Sequence, residues 1–536
     1  MVQTAVMTVT SDVPPQEHSD PPATEPPATA LVAGELVGGP IGRHARRTVR
    51  WTLLSGMVLV TILMCLIGYG QKFPCRDVGN WTHNYQYTRV CYSDVLPLYS
   101  TEKLSEGKVP YIDHPVEYPI LIGAAMEAGS VVSKAAPKND FVARNALFFD
   151  ATAILLTIAA IITVLCTALT AGPRRMDAML LAASPLLAFH AFTNWDLLAV
   201  AFAAGGLLAW SKRAPAIAGI LIGLGAATKA YPLLLLVALG LLAYRAGRLA
   251  AWRRCTLWAV GVLVALYAVV WPFAGSYVDD AGHRHNNLWR FVELNSGRTA
   301  DWDSLAYVAQ YLGRTQGAGG VAWYPIIAGL IAVGFFLRRS LKAALIAAGV
   351  AIVVTVGITQ TVAYAHSRGT IPHSVLNTAG AVWFIFLVAV IGYIVLTAPR
   401  RPRVPQVVFL VLVAFLVSNK VDSPQYSLWL LPVAVLAYPR WRVLLAWQLV
   451  EIYEVVMRYL WFVYDDSTAF GKAGVPEGWF VFAVVLRQLA VVALAVLIIR
   501  DIYRPDRDVV RHSPTGALDD PAGGVFDGVP DRRVFA

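Results

Sequence analysis

Between Cys91 and Gly123 the chain reads CYSDVLPLYSTEKLSEGKVPYIDHPVEYPILIG, which gathers Asp94, Asp113, His114 and Glu117 beside Tyr118. A carboxylate within hydrogen-bond reach of a hydroxyl can take its proton as that hydroxyl attacks, so Asp94, Asp113 and Glu117 are all candidate general bases. A second stretch, SPLLAFHAFTNWDLLAVA, places His190, Asn194 and Asp196 where one apolar run ends and another begins. Its bland reading is an interfacial anchor with a helix cap at Asn194. A third, GLGAATKAYPLLLL, sets Lys229 and Tyr231 between apolar runs just before Pro232. A lysine at such depth must meet an anion, a carbonyl or a wet cavity. Two partners are open to it: the carboxylate of Asp196, or the phosphate of a substrate. The fourth stretch, SNKVDSPQYSLWLLP, carries Lys420, Asp422, Gln425 and Tyr426. Lysines bind phosphate or diphosphate as mobile point charges, so Lys229 and Lys420 together suit such a headgroup, and no metal is required for that task. Residues 274–320 add His283, His285, Arg290, Glu293 and Arg298 among Trp289 and Trp302, a mixture that suits sugar rings.

The elements that must position these groups are membrane spans. The chain is 57% hydrophobic and only 15% charged, against about 25% charged in a soluble domain. About 14 apolar runs recur along it, and since some are short enough to be paired, tilted or broken, about 11 to 14 spans are expected. The longer ones fall at 51–70, 145–171, 256–273, 321–337, 341–360, 374–397, 442–462 and 479–499. Shorter ones fall at 177–191, 194–210, 215–228, 231–243, 405–418 and 426–437. The run 118–134, interrupted by Glu127, is expected to be re-entrant or to lie in the interface, and Leu96 to Leu104 to form an amphipathic helix on the membrane surface.

Arginine and lysine set the orientation. Arg43, Arg46, Arg47 and Arg50 precede the first span and place the N-terminus in the cytoplasm. Further basic turns at 174–175, 212–213, 245–254, 338–342, 400–403 and 440–442 alternate with long mixed loops at 71–144, 274–320, 361–373, 418–426 and 463–478. The long loops hold the histidines and most of the loop acids, so the chemistry is expected on the outer face. The net charge of +10 is then mostly positive-inside topology and calls for no nucleic acid. Residues 1–42, rich in Pro, Ala and Thr, are expected to be a disordered cytoplasmic arm, 43–502 the transmembrane domain, and 503–536 a disordered cytoplasmic tail. Cys75 and Cys91 share the first outer loop, where a disulfide would add about 3 kcal/mol to its ordering.

In order along the chain, several motifs resemble glycosyltransferase family 87. They are Asp94 with Tyr99, Gly107 with Tyr111, Glu117 to Pro119, Asn194-Trp195-Asp196, Lys229-x-Tyr231-Pro232 and Lys420-x-x-Ser423-Pro424-Gln425-Tyr426. The chain departs from the commonest pattern in carrying one proline, not two, after Tyr118. The family is part of the wider C-type glycosyltransferase architecture, and the chain is similar to its actinobacterial polyprenol-phosphate-mannose-dependent mannosyltransferases. The resemblance implies an all-α polytopic bundle with outer-face loops and interfacial helices. It implies transfer of a sugar, mannose before arabinose, from a polyprenyl-phosphate donor to an envelope glycolipid or glycan acceptor on the outer side of the cytoplasmic membrane. It points to a first-loop Asp as base, which here is Asp94, and to no cofactor. The competing class is a transporter or flippase of a lipid-linked or anionic substrate, since broken helices and buried lysines also suit substrate pathways.

Overall fold

In a computed structural model the described residues are 39–77, 84–279, 282–315, 357, 363–364, 367, 369–465, 473–512 and 519–534. Two units emerge. Residues 1–55 form the first, described from Gly39 onward as the start of helix α1 (Gly39–Arg76). Residues 56–536 hold everything that follows. The run 321–337, the run 341–360 apart from Gly357, His366 and the 338–342 turn lie outside the described residues.

The second unit is almost wholly helical. After a short helix α2 (Val95–Thr101) come α3 (Ile120–Ser133), α4 (Phe141–Thr170), α5 (Pro185–His190), α6 (Asp196–Ser211), α7 (Pro215–Ala226), α8 (Leu233–Ala246) and α9 (Leu249–Val270). A hairpin of β1 (Ser276–Val278) and β2 (Arg284–Asn286) leads to α10 (Arg290–Gly297) and α11 (Leu305–Thr315). The chain then continues through α12 (His373–Thr397), α13 (Val404–Ser418), α14 (Ser427–Ala437), α15 (Trp441–Asp465) and α16 (Glu477–Tyr503). Among the described residues five helices are long and apolar enough to cross a membrane: Thr52–Arg76, Phe141–Thr170, Leu249–Phe273, His373–Thr397 and Glu477–Tyr503. The protein is an all-α polytopic membrane protein.

Local chemistry explains where elements stop. Asp140 caps α4 by accepting from the Ala143 N–H at 2.9 Å, and Ser184 caps α5 by accepting from the Leu186 N–H at 3.2 Å. Proline occupies the first turn of α5 and α7, where its missing N–H costs nothing. Helix α7 crosses α9 at close range. A Cβ at Gly219 would sit 2.1 Å from the Cys255 carbonyl oxygen, and one at Gly223 2.5 Å from that of Ala259, so only this small-residue stripe lets the backbones meet.

Two expectations need correction. Helix α2 does not lie with its apolar face on lipid. It buries Val95, Leu96, Leu98 and Tyr99, and the Tyr99 ring packs at 4.9 Å, tilted, against Phe148 of α4 while its hydroxyl meets Ser133 Oγ at 2.9 Å. The run 177–191, one of those short enough to be broken, is broken: a 3₁₀ turn at Gly172–Ala178 and a short piece at Met179–Ala182 are followed by α5, which opens on Pro185. The stretch after 503 is not a loose tail. Asp508 pairs at 2.7 Å with Arg403, which is 1% exposed and also donates to the carbonyls of Leu436 and Ala437. Asp531 pairs at 2.7 Å with the equally buried Arg245, and Phe526 packs on Trp210. Acids that composition assigns to a solvated tail are the counter-ions of guanidiniums whose burial alone would be prohibitive.

Candidate active site

Asp94 stands immediately before α2, in a segment fastened from two sides. Gln71 and Lys72, near the end of α1, donate to the carbonyls of Val90 and Tyr92 at 2.5 and 2.7 Å. Cys75, one turn on, is disulfide-bonded to Cys91, with Cα atoms 5.6 Å apart. From the other side, the Asp94 N–H donates to the Thr193 carbonyl at 2.8 Å and Ser93 Oγ to that of Phe192 at 2.6 Å. The first loop is thereby laid against the turn between α5 and α6.

That juxtaposition orients the Asp94 carboxylate. Its Oδ1 accepts from the Tyr92 hydroxyl at 2.7 Å and its Oδ2 from Asn194 Nδ2 at 2.8 Å. Asn194 also donates to the Tyr118 hydroxyl at 2.9 Å. The Asp94 charge, and then burial, hold the Tyr92 phenol well above its ordinary range, so this hydroxyl remains a donor. Among the described residues each carboxylate oxygen keeps a free lone pair, and the group is half-buried on the wall of a cavity of about 730 Å³.

The opposite charge lines the same cavity. Lys229 lies in the Pro232-terminated break between α7 and α8, with Nζ 3.4 Å from Asp196 Oδ1, 5.1 Å from the Tyr118 ring centre and 5.7 Å from that of Tyr426. Asp196 is 1% exposed and also accepts from Trp429 Nε1 at 2.8 Å, while its Oδ2 has no hydrogen-bond partner among the described residues. Trp429 is the centre of a three-ring stack, 3.7 Å from Tyr426 and 4.3 Å from Tyr231. The two motifs Lys-x-Tyr-Pro and Ser-Pro-Gln-Tyr therefore build one aromatic wall, with Gln425 beside it.

Lys420 differs from Lys229. Its Nζ donates to the carbonyls of Ser296 and Arg298 at 2.8 and 2.5 Å, closing off the end of α10, and burial, then Arg298, lowers its pKa. Two of its three donors are thus spent on backbone. Glu117 borders the cavity 3.7 Å from Arg298, and its pKa is raised by burial. His190 is 2% exposed, and neither ring nitrogen has a partner among the described residues, although the side chain borders the cavity.

No known family model matches the chain, and no curated protein matches it. Among solved structures it is similar to the archaeal oligosaccharyltransferase AglB from Archaeoglobus fulgidus, in complex with an inhibitory peptide and a dolichol-phosphate. The two are 14% identical, with a TM-score of 0.33 over 83% of this chain and 56% of that one. The chain spans about half the length of that protein.

Besides Asp196, which lies behind Lys229, four sequence candidates stand apart from the cavity. Asp113 is exposed and accepts from the Val109 N–H at 2.9 Å, which makes it a turn residue. His114 faces Glu102 at 3.5 Å, and burial pushes the Glu102 carboxyl up to about 7. His285 belongs to the hairpin, where it meets Asp279, and Arg290 turns from α10 toward Tyr277. Conversely, Arg458 borders the cavity, and no loop motif points to it. Its guanidinium lies 5.3 Å from the ring centres of both Trp302 and Phe462 and donates to Asp303 at 2.7 Å, while its Nε has no partner among the described residues. The signal was available: Glu451, Glu454 and Arg458 fall on one face of an otherwise apolar run, and ionisable groups within a span mark function by default.

Proposed function

We propose that this protein transfers a sugar from a polyprenyl-phosphate carrier to a hydroxyl of an envelope glycolipid or glycan, on the outer face of the cytoplasmic membrane. The observation that carries the reading is the Asp94 carboxylate, held at both oxygens by Tyr92 and Asn194 and open to a cavity that also presents Lys229, Arg298 and Arg458. Asp94 takes the proton of the acceptor hydroxyl as its oxygen attacks the anomeric carbon. The bond from that carbon to the carrier phosphate breaks, and the phosphate leaves with the electron pair. The three cations offset the charge it gains in a setting of low dielectric. A single displacement inverts the anomeric configuration. The stack of Tyr231, Trp429 and Tyr426 offers apolar faces to a sugar ring. Mannose is the sugar that the resemblance to family 87 favours.

Purified protein incubated with radiolabelled polyprenyl-phosphate mannose and envelope lipids tests the reading. Asp94→Asn should lower the rate by about 100-fold or more, the usual worth of a positioned base, with the melting temperature unchanged. Full activity in Asp94→Asn together with a dead Glu117→Gln variant would move the base to Glu117. A protein that moves labelled lipid across vesicles without transferring its sugar would be a transporter instead.

A further inference from the structure

The hairpin of β1 and β2 lies outside the cavity and displays a cross-strand cluster that the transfer reaction does not use. Its register pairs Tyr277 with His285 and Val278 with Arg284, so Tyr277, Asp279, His283 and His285 share one face. Gly282, at φ +84°, donates to the Asp279 carbonyl at 3.0 Å and lets the chain reverse there. Asp279 Oδ2 stands 2.9 Å from His285 Nε2 and 3.3 Å from His283 Nδ1, and one ligand atom from each of the three residues lies within 4.8 Å of the others. Separations near 3 Å are what neighbouring ligands keep around a metal bound at about 2.0 to 2.2 Å.

We infer that Asp279, His283 and His285 form a site for a divalent transition-metal ion, Zn²⁺ before others. Two imidazoles and one carboxylate are a donor set for zinc, whereas calcium and magnesium take oxygen ligands. The His283 side chain is 74% exposed, which gives the ion access and leaves a fourth position to water. Outer-sphere support is in place: the Tyr277 ring stacks on His285 at 5.6 Å and fixes its plane, and the Tyr277 hydroxyl donates to Glu293 of α10. Arg290, one turn earlier on α10, lies over the same ring at 5.5 Å. The hairpin thus braces one side of α10, while Phe291, Val292 and Asn295 of that helix border the cavity. The ion is structural, a rivet behind the cavity wall, and the proposal does not depend on the transferase reading.

The test is equilibrium dialysis of the purified full chain, stripped with chelator, against Zn²⁺ at neutral pH, with melting temperature followed alongside. The expected result is about one tight zinc per chain and a zinc-dependent rise in melting temperature. Asp279→Asn and His285→Ala should each weaken binding by about 10-fold or more and abolish the rise, and Tyr277→Leu should weaken it less. His283→Ala, at an exposed side chain, serves as the variant that folds in any case. His114→Ala, in a different loop, should bind zinc as the natural chain does. No bound zinc, or equal binding in the natural chain and in His283→Ala and His285→Ala, overturns the proposal.

Discussion

At the scale of single residues, Lys229 answers two demands at once. It neutralises Asp196, which has no other cation beside it among the described residues, and it presents its ammonium to the cavity between the rings of Tyr118 and Tyr426. Lys229→Met should therefore cost about 3 kcal/mol of stability, the usual penalty for stranding one partner of a buried pair. Adding Asp196→Asn removes the stranded charge and keeps an acceptor for Trp429, so the double variant should regain most of the melting temperature. Use of the lipid donor should stay impaired by about 30-fold, the worth of one charge-assisted hydrogen bond. If transfer returns together with stability, Lys229 only neutralises Asp196. Sequence could name both residues, and also Asp94 and Asn194, but these last two lie 100 positions apart, and no local pattern states that one will hydrogen-bond the other. Arg458 escaped because hydropathy averaged over its run hides a charge whose partners, Asp303 and Trp302, come from a distant loop.

At the scale of elements, the apolar runs mark most helices to within a few residues, since burial in lipid or protein demands uninterrupted apolar sequence and proline or glycine ends it. What the runs cannot convey is which polar ends meet. Charge and position alone suggest a phosphate ligand in Lys420, whereas its side chain ties the loop after α13 to the end of α10. Lys420→Met should accordingly lower stability by about 1 kcal/mol, as the Ser296 and Arg298 carbonyls lose a charged donor, and leave the donor KM near its natural value. A raised donor KM with an unchanged melting temperature would return Lys420 to the phosphate. The segment after 503 shows the same blindness: its composition is that of a solvated tail, and its partners, Arg245 at the end of α8 and Arg403 just before α13, lie more than 100 residues away.

At the scale of the molecule, the alternation of basic turns and mixed loops predicts that Thr299 faces the exterior and Pro399 the cytoplasm, at opposite ends of the polypeptide that includes α12. A cysteine at 299 should react with a membrane-impermeant reagent on intact cells, and one at 399 only after the cells are opened. The reverse pattern would turn the cavity to the cytoplasm and remove the envelope acceptor from consideration. One consequence follows from helix length. Helices α6, α7, α8, α13 and α14 have 16, 12, 14, 15 and 11 residues, or about 24, 18, 21, 22 and 16 Å of rise, against a hydrocarbon layer of about 30 Å. Asp196, Lys229, Lys420 and Tyr426 lie at or just beyond ends of these helices, so the cavity occupies the length the helices fail to cover. On the proposed reading it is a wet recess sunk below the headgroup plane. A carrier lipid can deliver its phosphate there while its chain stays among its neighbours, and a thicker bilayer would place the reacting groups farther from any water-borne acceptor.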